Sequence, residues 1–223
     1  MRCTARIENR ARRAGYLRIA GADEAGRGAL FGPVVAAAVI LDPARPIRGL
    51  NDSKQLDAET RLELAPLIRE RALAWSVAAV DAGRIDWINI YQASREAMRQ
   101  AVGGLDPAPD LLLVDAMTLE VTVPQRAIIH GDALSISIAA ASILAKVGRD
   151  ALMQEWDAIY PGYGLASNKG YATPDHRTGL QTYGATPLHR LSYAPVAEVS
   201  LFPAPGGVTD QYLLPLEAIA VAG

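Results

Sequence analysis

Two apolar runs of strand length, residues 17–22 and 33–41, are separated by Asp23-Glu24-Ala25-Gly26-Arg27-Gly28. That interruption constrains the chain more than any other feature. Short, mostly apolar runs fit buried strands, and a Gly-rich reversal between them predicts a hairpin. Successive side chains of a regular strand point to opposite faces. The adjacent carboxylates of Asp23 and Glu24 can therefore serve one site only if the strand breaks at them. Gly26 and Gly28 supply the break, because glycine accepts backbone angles and close approaches that other residues refuse. The plainer alternative is a pair of acids ending a strand at the surface.

The rest of the chain alternates helix and strand signals. Asp57-Ala58-Glu59-Thr60 opens a helix packed through Leu62, Leu64, Leu67 and Ile68, and residues 74–80 form a third strand. Helical spacing of Ile90, Ala93, Ala97 and Ala101 predicts one helix over 86–102. Residues 111–114 read as a buried central strand, and 121–129 as another. A long helix covers 134–159, with Asp132 placed to cap its start. This order predicts an α/β fold, a mixed sheet flanked by helices. With 223 residues, about half of them hydrophobic, the chain suffices for one substantial globular domain.

Bulk properties narrow the chemistry. Cys3 is the only cysteine, which excludes an intrachain disulfide framework and Cys-rich zinc sites, so any metal is held by oxygen. No apolar run of about 18 residues exists, and Arg2, Arg6, Arg10, Arg12 and Arg13 stand where a signal peptide needs an apolar stretch. A soluble cytoplasmic protein is expected. The net charge of −2 argues mildly against coating nucleic acid by charge alone, but carboxylates clustered at a metal site are offset by bound cations. Lys54, Lys146 and Lys169 are the only lysines; compositional bias toward Arg is the plain account.

Asp115 ends the 111–114 run, at the carboxyl end of a strand where open α/β sheets place their ligands. It can equally be a turn former, and Asp132 a helix cap. Together with Asp23 and Glu24 they suggest a cage for two divalent ions and phosphoryl chemistry. A dinucleotide-binding loop is the obvious rival. Gly26, Gly28 and Gly32 have the wrong spacing for it, and a strand follows where it needs a helix N-terminus. The chain has no P-loop signature either.

Several segments in order along the chain carry a more specific signal. They are the Asp23–Gly28 motif with Gly32-Pro33-Val34-Val35, Asn51-Asp52-Ser53-Lys54-Gln55-Leu56, Leu113-Val114-Asp115, and His130-Gly131-Asp132 leading to Ala140-Ala141-Ser142-Ile143-Leu144-Ala145-Lys146 and Arg149-Asp150. Lys169-Gly170-Tyr171 with His176, and Pro187-Leu188-His189-Arg190-Leu191-Ser192-Tyr193, complete the series. This series resembles the type 2 ribonucleases H, the ribonuclease HII family.

The resemblance implies a ribonuclease H-like mixed sheet with a helical C-terminal region. The boundaries that follow are an N-terminal extension 1–16, a catalytic domain 17–196 and a C-terminal tail 197–223. It implies a monomeric endonuclease that cuts the RNA strand of RNA–DNA hybrids and cuts 5′ to single ribonucleotides in duplex DNA. Asp23, Glu24, Asp115 and Asp132 would be catalytic and bind two Mg²⁺ or Mn²⁺ ions. Gly26, Arg27 and Gly28 would read the 2′-hydroxyl, and Tyr171 would stack on the sugar at the RNA-to-DNA junction. Lys54, Lys146, Arg149 and Lys169 would contact phosphates or support the acids; each could also be a solvated surface cation.

Physical chemistry is consistent with these roles: two hard cations about 4 Å apart suit in-line hydrolysis leaving 5′-phosphate and 3′-hydroxyl ends, and an aromatic face suits a sugar. Asp150 lies about 27 Å along a straight helix from Asp132 at 1.5 Å per residue, and reads as structural. The chain departs from the family pattern at Ala116, Asn168 and Tyr193, none of them a carboxylate. Rival readings are a hybrid-binding module without catalysis and a metal-dependent phosphatase for small metabolites.

Overall fold

The computed structural model describes residues 3–201. The sequence also reads Pro203-Ala204-Pro205-Gly206-Gly207 as a linker and residues 211–221 as a short apolar segment; both lie outside that range. In chain order the elements are α1 (Arg6–Arg13), β1 (Ile19–Ala25), β2 (Val34–Leu41), α2 (Ala58–Arg71), β3 (Ala72–Val80), α3 (Ala82–Ile88), α4 (Ile90–Gly103), β4 (Leu111–Asp115), β5 (Gln125–Ile128), α5 (Ile136–Ile159), α6 (Leu165–Asn168), α7 (Pro174–Tyr183) and α8 (Ala194–Leu201). Two compact units emerge from the described residues. The first draws on the chain up to residue 25, then 35–78 and 94–147; the second on 26–34, 79–93 and from 148 onward.

The sheet has five strands in the order β3-β2-β1-β4-β5. β1 runs antiparallel to β2 as the hairpin reading required, and parallel to β4, which in turn is parallel to β5. The sheet is therefore mixed, as predicted. Every residue of β2 is buried, as expected of an interior strand covered on both faces.

In the first unit, Ala37, Val39 and Leu41 of β2 pack with Leu64, Ala65 and Ile68 of α2 and with Ala139–Ala145 of α5. Small alanines on α5 let the helix approach the sheet closely. One such close approach is at Gly21 in β1, where a Cβ would overlap the backbone of Ser137 and Ile138. A second cluster joins Ile19, Leu111, Leu113 and Ile138, with Ile7 and Ala11 of α1 against it.

Two helix predictions need correction. The single helix predicted over 86–102 is two helices, because Asn89 adopts a positive φ of 67° and ends α3. Its ψ of 162° takes the chain out of helical geometry altogether, and its Oδ1 then accepts from Gln92 N at 3.1 Å to start α4. The long helix starts at Ile136, and Asp132 is not its cap. It sits in a separate 3₁₀ turn, Gly131–Ala133. The helix start is satisfied instead by Ser135 Oγ, which accepts from Ile138 N at 3.3 Å, and by Glu8 of α1, which accepts from Ser137 N at 3.0 Å and Ser135 Oγ at 2.5 Å. The helix opened at Asp57 is as predicted, with that carboxylate accepting from Thr60 N at 2.7 Å.

Candidate active site

β1 and β4 are parallel neighbours with Ala22 opposite Val114, so Asp23 and Asp115 leave the same ends of adjacent strands. These are the carboxyl ends, where such sheets carry their chemistry. The break predicted at the acid pair comes later. Regular pairing with β2 continues through Glu24↔Ala36 and Ala25↔Val35, since β2 offers a partner to every residue as far as Ala25. The left-handed conformation begins at Gly26, φ 93°. Asp23 and Glu24 therefore alternate on an unbroken strand: Asp23 is buried at 3 % exposure and Glu24 half-buried.

Asp115 is tied to the next acid through the backbone. Its Oδ1 accepts from Gly131 N at 2.7 Å, which clamps the end of β4 to the turn carrying Asp132. Asp132 is itself 4 % exposed, and Lys54 Nζ lies 3.4 Å from its Oδ2. Asp52, Lys54, Asp115, His130 and Asp132 line a cavity of about 320 Å³.

The electrostatics of this group are those of crowded carboxylates. Burial pushes the Asp23 carboxyl well above its ordinary range, and the charges of Glu24 and Asp115 push it further. Hydrogen bonds from Ser142 and from Glu24 N, the latter at 2.7 Å, pull the other way. Asp132 is likewise raised by burial, then by Asp115 and Asp52, with Lys54 opposing. Desolvation works against the Lys54 ammonium, but Asp132, Asp23 and Asp52 outweigh it and hold it above the ordinary lysine range.

Clustered carboxylates that resist joint ionisation are the donor set a hard divalent cation fits, since its charge removes the repulsion. Among the described residues, no three His, Cys, Asp or Glu side chains already stand as a closed ligand group. Asp52 and Ser142 escaped the sequence reading. Ser142 is joined to Ser53 at 2.9 Å, so it links Asp23 to the 51–56 segment. The only signal for either was membership of a motif, because no periodicity marks them.

The second unit holds the other predicted residues except Lys146, which belongs to the first. Gly26 is buried, while Arg27 and Gly28 are exposed. Two fully buried arginines shape this turn. Arg149 donates to the carbonyls of Pro33 at 3.2 Å, Phe31 at 2.9 Å and Lys169 at 2.7 Å. Arg190 donates to Gly32 O at 2.9 Å and Arg27 O at 2.8 Å. A Cβ on Gly26 would collide with the Arg149 guanidinium, so glycine is required there on steric grounds as well as by its φ.

Arg149, read as a phosphate contact or a support for the acids, is therefore a buried brace, with its donors engaged by main-chain carbonyls. Tyr171 is 37 % exposed, its ring 5.5 Å from the Arg149 guanidinium and beside Gly28. Lys169 Nζ donates to Ala166 O at 2.6 Å, and Lys146 is half-buried on α5. The departures acquire local roles. Tyr193 donates its hydroxyl to Arg27 O at 2.6 Å, and Asn168 bridges Tyr163 O at 2.6 Å and Gly170 N at 2.8 Å. Ala116 takes a positive φ of 51°.

Comparison with known proteins agrees with this geometry. Residues 20–196 match the family model for ribonuclease HII. A ribonuclease HII of Solibacter usitatus is 64 % identical over 202 residues, covering 91 % of this chain and 89 % of that protein. Among solved structures, the ribonuclease H2 of Pyrococcus horikoshii OT3 superposes with a TM-score of 0.72 at 26 % identity, over 83 % of this chain and 98 % of that one. Bst-RNase HIII in complex with Mn²⁺ shares the fold, with a TM-score of 0.63 at 22 % identity over 84 % and 70 % of the two chains. The mixed sheet is thus a ribonuclease H-like sheet, and with strand-end carboxylates in place and a family match spanning most of its length, the chain belongs to the ribonuclease HII family of metal-dependent endoribonucleases.

Proposed function

We propose that this endoribonuclease of RNA–DNA hybrids also cuts 5′ to single ribonucleotides embedded in duplex DNA, leaving 5′-phosphate and 3′-hydroxyl ends. One observation carries the catalytic half of the reading: Asp23 and Asp115 at the carboxyl ends of paired strands, with Asp132 clamped to Asp115 through Gly131. Asp23, Glu24, Asp115 and Asp132 would hold Mg²⁺ or Mn²⁺; the strand break expected at the acid pair is not needed for this, because Glu24, though it alternates with Asp23, still lies close enough for its charge to raise the Asp23 carboxyl. When bound, two such ions supply a water nucleophile at neutral pH and neutralise charge on the attacking and leaving oxygens.

The chain's own residues prepare that site. Ser142 fixes the Asp23 carboxyl by a hydrogen bond, and Gly131 N fixes one oxygen of Asp115. Burial favours the protonated form of Asp23, and a bound cation would favour the carboxylate instead. Lys54, with an exposed side chain, balances Asp132 and offers an ammonium to a substrate phosphate; Lys146 and Lys169 are assigned the same general role toward the backbone.

Recognition is assigned to the second unit. Arg27 and Gly28 are exposed, and backbone groups there can meet a 2′-hydroxyl, which both donates and accepts hydrogen bonds. The open face of Tyr171 suits the sugar at an RNA-to-DNA junction. The same reading has the protein acting as a monomer in the cytoplasm. No described helix is long and apolar enough to cross a membrane.

The test is an incubation with Mg²⁺ or Mn²⁺ and a labelled DNA duplex carrying one ribonucleotide. A single cut 5′ to that residue is expected. Binding without cleavage would favour a hybrid-binding module, and turnover of small phosphate esters alone would favour a phosphatase.

A further inference from the structure

Tyr171 follows two residues in left-handed backbone conformation, Lys169 at φ 54° and Gly170 at φ 78°. For a lysine this region is unfavourable, and it persists only where surrounding contacts over-determine it. Part of that over-determination is plain. Gly170 O accepts from Leu30 N at 2.8 Å, and Tyr171 N donates to Asn168 O at 3.0 Å.

The remaining part is a chain of buried side chains. His176 Nδ1 lies 2.9 Å from Tyr171 O, and its Nε2 lies 3.1 Å from His189 Nε2. His189 Nδ1 in turn lies 3.0 Å from Thr186 N and 2.9 Å from Thr186 Oγ1. Both imidazoles are buried, His176 at 0 % and His189 at 1 % exposure. The rings of Phe31 and Tyr163 close around His189, with centroids at 4.9 and 5.0 Å.

Donor and acceptor chemistry leaves one arrangement of protons. A backbone N–H can only donate, so His189 Nδ1 accepts from Thr186 and carries no hydrogen. The hydrogen of a neutral His189 then sits on Nε2 and is donated to His176 Nε2. His176 therefore carries its own hydrogen on Nδ1, directed at a carbonyl that can only accept. The bonds run one way, from Thr186 to Tyr171. Charging either ring would set N–H against N–H.

We propose that His176 and His189 are positioning residues: a proton-ordered relay that sets the main chain under Tyr171 and so determines how strongly the enzyme prefers single-ribonucleotide junctions. This rests on the reading that Tyr171 recognises the junction. The relay itself touches no substrate. Its effect is on the angle at which the tyrosine ring leaves the backbone, where a displacement of about 1 Å is enough to alter turnover strongly.

Two experiments on the full chain test it, and they fail separately. The first is imidazole ¹⁵N spectroscopy at pH 7 on histidine-labelled protein. The chain has three histidines, and exposed His130 serves as the reference. His189 should be the neutral Nε2–H tautomer and His176 the neutral Nδ1–H tautomer. An imidazolium in either, or His176 protonated on Nε2, overturns the relay. The second compares kcat/KM on a single-ribonucleotide duplex with that on an RNA–DNA hybrid. His176→Phe removes the donor, and the ratio should fall about tenfold, or ~1.4 kcal/mol. His176→Asn, which can still donate near the Nδ1 position, should recover most of it. An unchanged ratio in a folded His176→Phe, or in His189→Gln where His176→Phe does not fold, overturns the proposal. If Tyr171→Ala leaves the ratio unchanged, the junction reading fails instead, while the tautomer result still stands.

Discussion

Asp23 is the acid that folding treats least kindly. Its folded carboxyl titrates well above its ordinary value because of burial and the nearby Glu24 and Asp115. The sign follows directly: the folded state favours the protonated form, so the metal-free protein loses stability as pH rises from the unfolded value near 4 toward the folded one. Asp23→Asn removes that cost. Its metal-free Tm should equal or exceed that of the parent at pH 7, by about 2–4 °C per kcal/mol relieved, while activity falls by about 10²-fold or more. A calorimetric scan beside the cleavage assay checks both; retained activity would contradict its role. The histidines show the opposite sign. Burial and then His176 depress His189 to about 3, and burial also lowers His176. Their stabilisation is complete above about pH 6.5 and is lost as pH falls toward 3. Denaturation midpoints measured from pH 7 down to 4 should drop, and the slope should flatten in His189→Gln.

Among the elements, α1 does more than precede the sheet. Glu8 is fully buried and supplies acceptors to Ser135 and Ser137 at the start of α5, while Thr4 forms a bridge with Ser135. Glu8→Ala strands those donors and should cost about 1–3 kcal/mol in chemical denaturation; Glu8→Gln, which keeps an acceptor oxygen, should cost less. The contact is invisible to periodicity because its partners are more than a hundred residues apart. β1 meets α5 more closely still at Gly21, so Gly21→Ala should force the helix from the sheet and destabilise by the 1–3 kcal/mol typical of overpacking. Asn89 illustrates the limit of reading helices from spacing. Its apolar neighbours keep step on both sides, but a local side-chain cap competes with helix continuation and wins.

Across the whole molecule, metal binding should raise stability and release protons together, because burial and neighbouring carboxylates raise both Asp23 and Asp132 when no cation is near. Titrating Mn²⁺ calorimetrically in two buffers of different ionisation enthalpy should give different apparent heats, and a chelator should reverse the gain in Tm. Equal heats in both buffers would show that the acids were already ionised. What the linear chain determined was whatever depends on near neighbours. Strand-length apolar runs, the Asp57 cap, the hairpin and the motif order that marks the family are all local, and each survived folding. The tertiary structure decided what depends on distant partners. β2 kept β1 regular past Asp23 and Glu24. Gly131 N tied Asp115 to the Asp132 turn, and burial made Arg149, expected to contact phosphates or support the acids, a brace for three carbonyls. Hydrophobic periodicity reports which face is buried. It carries no record of which buried polar group meets which, and in this protein those pairings place the acids and hold Tyr171.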